Sequence, residues 1–196
     1  MIRKLQGKAI RNSFIHKTAK VEAGSQIVNS RFGKYSYCGY NCKIIDCEIG
    51  SYCSIADDVI IGGAQHPVHW VSTSPVFYKG RDSVKMKFAE YERPENKRTH
   101  LGNDIWIGDR VIIKAGVSIG NGAVIGMGSI VTKDVASYEI WAGNPARKIK
   151  SRFSDQVIKE LEQSRWWDLP DQTMDVLSRD IVSPDRFIKR AKVLEE

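Results

Sequence analysis

From Leu101 onward, aliphatic residues recur at every sixth position: Leu101, Ile107, Ile113, Ile119, Ile125 and Val131. Gly102, Gly108, Gly120 and Gly126 follow four of them directly. Four positions after each stands Ile105, Val111, Val117, Ala123, Ser129 or Val135, all β-branched or small. The same period runs upstream through Val21 and Ile27. It resumes one residue early through Phe32, Cys38 and Ile44, and one residue early again through Ile49, Ile55 and Ile61. The repeat thus covers about 21–66 and 101–136. A period of six fits neither a helix nor plain strand alternation. It predicts a short strand, a corner and a new face, with three hexads closing one triangular coil. The aliphatic residue and the small residue four later point inward. Glycine at the second slot suits a corner where a side chain would clash or φ is positive. Stacked coils pair their strands about 4.8 Å apart around one continuous core. A β-sandwich would instead alternate, with turns every eight to twelve residues. The period leaves the hand of the coil open, although parallel crossovers are generally right-handed.

Residues 67–98 break the repeat. They hold Pro67, Pro75 and Pro94, a charged stretch from Lys79 to Lys87, and the aromatics Trp70, Phe77, Tyr78, Phe88 and Tyr91. A long insertion within a compact unit is functional or disordered, and its aromatics favour function. Past 136 the chain leaves the coil through Trp141-Ala142-Gly143-Asn144-Pro145-Ala146-Arg147. Ser154 is placed to cap a helix whose face carries Val157, Ile158 and Leu161. Ser183-Pro184 starts another, with Phe187, Ile188 and Ala191 along it. These helices are expected to cover the open end of the coil. The predicted organisation is a β-helix over 1–150 with an inserted loop at 67–98, then a helical segment at 151–196.

The chain has 196 residues, 42% hydrophobic and 27% charged, an ordinary globular composition. No apolar run reaches the length of a membrane span. The opening MIRKLQGKAIRNSFIHKTAK lacks the apolar stretch of a secretory signal, so a cytoplasmic location is expected. The net charge of +7 does not choose among nucleic acid, an anionic membrane and a phosphorylated small molecule. Cys38, Cys42, Cys47 and Cys53 fall close together, but zinc ligands come as paired clusters and only the first two are so spaced. Cys42, Cys47 and Cys53 each stand two positions before a repeat aliphatic, in the slot that takes a small buried side chain. No metal site is expected.

Of the histidines His16, His66, His69 and His100, His66 stands where the repeat gives way to the insertion. From the residues alone, a general base on a rigid frame and a hydrogen-bonded structural histidine are equally open. His100 opens the second repeat run, and His16 precedes the repeat.

The hexads, such as Ile107-Gly108-Asp109-Arg110-Val111-Ile112, resemble the hexapeptide-repeat acyltransferases, and that resemblance implies a left-handed β-helix. Gly63-Ala64-Gln65-His66-Pro67, followed by Trp70, Ser72-Thr73 and Pro75, resembles the active-site segment of the xenobiotic acetyltransferase group. Further matches are Gly102-Asn103-Asp104-Ile105-Trp106-Ile107-Gly108, Gly143-Asn144-Pro145-Ala146, and Ser151-Arg152-Phe153 leading to Trp166-Trp167-Asp168-Leu169-Pro170. The resemblance covers about 21–170. His66-Pro67-Val68-His69 is also similar to the segment in galactoside and maltose acetyltransferases.

The resemblance implies transfer of an acetyl group from acetyl-CoA to a hydroxyl, with His66 as base and His69 not. The thioester is already activated, so one base and one oxyanion donor suffice. The resemblance further implies a homotrimer with coenzyme A between neighbouring subunits. By position it points to Asp109, Met127, Thr132, Lys133, Arg147 and Lys150 as coenzyme contacts, and Trp106, outward in its hexad, is expected to line the groove. Lys133, Arg147, Lys148, Lys150 and Arg152 form the densest basic cluster near the coil exit, suited to phosphate. Trp70, Phe77 and Tyr78 are the expected acceptor contacts. Relatives often read Pro-Phe where this chain has Pro75-Val76-Phe77, which leaves the acceptor least defined. The preferred acceptor is a sugar of surface polysaccharide. The alternatives are an antibiotic of the chloramphenicol or streptogramin kind, or an amino sugar acetylated on nitrogen. A metal-dependent hydratase like the γ-type carbonic anhydrases needs three converging histidines, and only His66 and His69 are close. A non-enzymatic scaffold would need neither His66 nor the exit loop.

Overall fold

A computed structural model describes residues 7–80, 84–93 and 95–195. Pro94, residues 81–83 of the charged stretch and the first six residues lie outside these. The chain winds into a triangular solenoid whose faces are sheets of six, five and seven strands, parallel except for the last strand of the third. The first face includes Gln26–Val28, Ile60–Ile61 and Ile112–Ile113; the second Arg31–Phe32 and Thr99–Leu101; the third Tyr37–Cys38 and Trp106–Ile107.

The inward positions behave as the hexads dictate. Every repeat aliphatic from Val21 to Val131 is buried, as are Ile105, Val111, Val117, Ala123, Ser129 and Val135. The early restarts are real shortenings. Below the loop, paired residues are 17 apart, as in Gln26↔Lys43; above it they are 18 apart, as in Ile112↔Ile130, until the last turn, where Val124 pairs with Ile140 at 16. The four cysteines are free and buried. Ser25, Ser30 and Ser36 share the small slot. Their hydroxyls accept the amides of Cys42, Cys47 and Cys53 at 2.9–3.1 Å, which satisfies polar groups inside the wall.

Two expectations are corrected, and a third is narrowed. The coil starts earlier than Val21: Ala9–Arg11 already pairs with Gln26–Val28, so His16, whose amide bonds to the Phe32 carbonyl, belongs to the first coil. Ile10 and Ile15 carry the period there, but a one-residue shortening hides it. Of the two reasons for glycine at the second slot, the clash is the one that holds at Gly102, Gly108 and Gly120, none of which has positive φ; Gly62, after Ile61, has it. A Cβ on Gly102 would lie 2.9 Å from the Asn121 nitrogen, and one on Gly120 would lie 2.4 Å from the Ser137 nitrogen, so the close approach of the next coil requires glycine there. Positive φ falls two positions later, at Asp104, Arg110, Gly116, Gly122 and Gly128.

The helices, secondly, do not cover the end of the coil. They are α1 (Asp155–Ser164), α2 (Asp171–Leu177) and α3 (Pro184–Glu195). Ser154 caps α1 by accepting the Val157 amide, and Leu161, Phe187, Ile188 and Ala191 are buried, as patterned. They lie along one corner of the solenoid, where Tyr35, Tyr52, Asp104 and Tyr138 stack in the left-handed region. Lys34 donates to the Leu169 carbonyl at 2.8 Å, Asn121 to Glu162 at 3.1 Å, and Tyr52 packs on Trp166. The second core joins Tyr138 to Trp166 and Trp167 there. The coil's end is covered instead by the antiparallel hairpin of Glu139–Gly143 and Ala146–Ser151, whose Ala146 is buried in the coil core.

Candidate active site

The chain leaves the solenoid after Ile60–Ile61, at the corner between the first and second faces, and returns on the second face at Thr99–Leu101. Two glycines make the exit. Gly62 has φ +79, and a Cβ there would lie 2.1 Å from the Ile45 carbonyl oxygen; Gly63 has φ +120. Gln65 then ties the departing chain to the coil through the Ala115 carbonyl at 3.1 Å. His66 follows, exposed.

Its Nδ1 lies 2.9 Å from the Thr73 carbonyl oxygen. A carbonyl only accepts, so Nδ1 carries the hydrogen, and in the neutral ring the lone pair is then on Nε2. The Tyr78 hydroxyl lies 3.1 Å from the same Nδ1. His66 lines a cleft of about 200 Å³ with Gln65, His69, Arg93 and Glu95. A neutral imidazole, held at one nitrogen and open at the other, can take a proton from a bound acceptor.

The described residues of the loop around it pack on one another. Tyr78 bridges to Tyr91, Phe88 donates to the Val76 carbonyl at 2.8 Å, and Trp70 packs edge-on against both Tyr78 and Tyr91. Trp70 and Phe77 line an apolar hollow of about 440 Å³ with Val71, Ser72, Tyr91 and Glu92. Tyr78 does not join them: it is 4% exposed and faces His66. Arg93, which the sequence reading did not single out, donates to the Gln65 carbonyl at 3.1 Å and lies 5.4 Å from the centre of the Tyr78 ring. No spacing pattern signals it, because irregular loop backbone brings it back to the exit corner.

The expected coenzyme contacts fall in separate places on one chain. Asp109 and Met127 share a hollow of about 400 Å³ with Asp57, Asp58, Arg110 and Gly128, at the entry edge of the first face. Met127 is 75% exposed, and Trp106, on the third face, is 58% exposed. Thr132 and Lys133 stand at the exit edge of the first face, past Ile130–Val131, and Arg147 and Lys150 lie exposed on the exit hairpin. Two members of the basic cluster are engaged elsewhere: Lys148 pairs with Glu139 at 2.6 Å, and Arg152 pairs with Asp104 at 3.2 Å while donating to the Gly122 carbonyl. Burial pushes the Asp104 carboxyl above its usual range, against the pull of Arg152. Among the described residues no group of histidine, cysteine and carboxylate side chains is arranged to hold a metal. No described helix is long and apolar enough to cross a membrane.

A triangular parallel solenoid, with one corner opened by an aromatic loop and a histidine at its root, defines the class of hexapeptide-repeat acyltransferases. Residues 98–133 match the family described as "Bacterial transferase hexapeptide (six repeats)". A chloramphenicol acetyltransferase of Klebsiella aerogenes is 38% identical over 160 residues, covering 71% of this chain and 75% of that one. A probable macrolide acetyltransferase of Lysinibacillus sphaericus is 42% identical over 121 residues, covering 61% and 67%. The crystal structure of a maltose O-acetyltransferase from Clostridium difficile 630 superposes with a TM-score of 0.54 at 28% identity, covering 74% of this chain and 72% of that one. The chain belongs to the xenobiotic acetyltransferase group of the hexapeptide-repeat acetyltransferases, whose β-helix is left-handed, and it is an acetyl-CoA-dependent acyltransferase.

Proposed function

We propose that the acetyl group goes to an acceptor hydroxyl and that His66 is the general base. The supporting observation is the 2.9 Å contact from Nδ1 to the Thr73 carbonyl, which leaves Nε2 as the proton acceptor. The hydroxyl loses its proton to Nε2 as its oxygen attacks the thioester carbon. Collapse of the tetrahedral intermediate then expels the coenzyme's thiolate, which takes up that proton. Lys133, Arg147 and Lys150 hold the coenzyme's phosphates, and the outward surface of Trp106, Asp109, Met127 and Thr132 lies along its pantetheine arm. The functional form is a homotrimer. Asp109 and His66 stand at opposite edges of the first face, so one chain supplies only part of a site. Outward Ile60 and Ile112, each 40% exposed on that face, suit a covered interface. The chain works in the cytoplasm, where acetyl-CoA is made and used. Residues 1–150 form the catalytic unit and 151–196 a helical buttress.

For the acceptor, a specific observation favours the antibiotic-like alternative over a surface-polysaccharide sugar. The hollow lined by Trp70, Val71, Phe77 and Tyr91 is apolar, which suits an alcohol with an aromatic or macrocyclic body. The relatives named for chloramphenicol and macrolide agree with it. Release of free thiol from acetyl-CoA, read against apolar antibiotics and against sugars and glycolipid fragments, decides between them. Turnover confined to the sugars removes the apolar acceptor, and turnover only with amino sugars removes the hydroxyl.

A further inference from the structure

We propose that Tyr78 is a positioning residue for the base: its buried hydroxyl is the second acceptor for the Nδ1 hydrogen of His66. The inference rests on the reading of His66 as base. A buried tyrosine needs a partner for its hydroxyl, and here that partner is an imidazole nitrogen whose hydrogen already points at the Thr73 carbonyl. Two oxygens, 2.9 and 3.1 Å away, share one N–H donor. Together they resist rotation of the ring better than either alone, and they hold Nε2 toward the cleft.

The tyrosine is itself fixed from three sides. Trp70 meets its ring edge-on at 6.1 Å. The Lys87 ammonium donates to the Tyr78 carbonyl at 2.6 Å and lies 5.8 Å from the ring centre. The Arg93 guanidinium lies 5.4 Å from that centre while bonding the carbonyl of Gln65, the residue before the base. One arginine therefore fixes both the backbone that carries His66 and the ring behind it. Thr73, Tyr78, Lys87 and Arg93 all belong to the insertion, so the base reaches its working orientation only when the loop is folded against the corner.

Tyr78→Phe keeps the ring and its cation contacts and removes only the oxygen. An acceptor on Nδ1–H stabilises the imidazolium more than the neutral ring, because the charged ring is the stronger donor. Its loss makes the imidazolium harder to form. The other charged or titratable groups around the base, His69, Arg93 and Glu95 in the cleft and Lys87 beside the tyrosine, are unchanged by the substitution. The expected result is a kcat lower by about 3- to 10-fold, an unchanged KM for acetyl-CoA, and an acid limb of the pH–rate profile displaced to lower pH. A purely structural tyrosine would lower the amount of active enzyme without moving that limb. A folded Tyr78→Phe enzyme with the parent's kcat, or with an unmoved or raised acid limb, overturns the proposal. So does ¹⁵N NMR of the parent showing the hydrogen on Nε2. Full turnover by His66→Ala would instead remove the base itself. An inactive His66→Ala beside an unaltered Tyr78→Phe removes only the role of Tyr78.

Discussion

In the coil, a side chain's fate follows from its place in the hexad; in the insertion, it follows from what the returning chain brings near. Ile107 is buried because it occupies the first slot, and the same holds for Ile44 and Ile125. Tyr78 is buried because Trp70, Arg93 and His66 converge on it from positions with no common period. The coil spreads its stability over a long ladder of equivalent contacts, whereas the loop's order depends on a few particular ones. A change in the coil should therefore cost stability and spare the chemistry of whatever remains folded. A change at the loop's root should do the reverse.

The sharpest break of that contrast is His66→Ala. Turnover should fall by about 10²–10⁴-fold, with acetyl-CoA affinity and thermal midpoint close to the parent's, because the ring is exposed and outside both cores. Ile107→Ala is the counterpart in the coil. It should cost about 2–5 kcal/mol in urea unfolding, while kcat per folded active site stays near the parent value; a lost kcat at full folding would show that coil and site are not separable. Arg147→Ala and Lys150→Ala should each weaken acetyl-CoA binding by about 10- to 100-fold in calorimetry, with kcat at saturating coenzyme altered less. Unchanged affinity in both variants removes the phosphate assignment.

Smaller effects test the corner that joins coil to helices. Arg152→Ala leaves the half-buried Asp104 without its cation and should cost roughly 1–2 kcal/mol, less than a fully buried pair because about a third of each side chain remains exposed. The smallest effect concerns the exit hairpin. Burial pushes the Glu139 carboxyl up, but hydrogen bonds from Lys148 and Trp141 outweigh it and hold the group below its usual range. The folded state thus binds this proton less tightly than the unfolded one. Its contribution is complete above the ordinary glutamate range and fades as pH falls through the lowered folded value. Glu139→Gln should flatten the acid side of the stability curve by about 1 kcal/mol or less, read from unfolding midpoints between neutral pH and acid.

Sequence reading was strong where physics is periodic. The inward columns, the two shortenings, the buried cysteines, the α1 cap and the buried face of α3 all follow from slots and local propensities. It failed where a residue's role depends on a chain-distant neighbour. The first coil escaped because its five-residue step falls between Ile10 and Ile15 near the terminus. The helices were sent to the wrong surface because amphipathic patterning says that a face is buried, not against what. Trp166 meets Tyr52 across more than a hundred residues. Arg93 and the inward turn of Tyr78 depend on irregular backbone, for which no repeat rule exists.

The ladder crosses the insertion without slipping: Ile60 pairs with Ile112 and Ser54 with Trp106, at a uniform separation of 52 residues. The excursion replaces a single corner, so neighbouring coils meet as though it were not there. Lineages of such a chain are free to lengthen or shorten the outer part of the excursion without disturbing the register of the wall. Acceptor range can then drift while the donor end stays fixed. The exception is the stretch from His66 to Tyr78, which carries the oxygens that aim the imidazole. A graft of another member's loop that kept this stretch would inherit a working base with a new appetite; one that replaced it would have to build the support again.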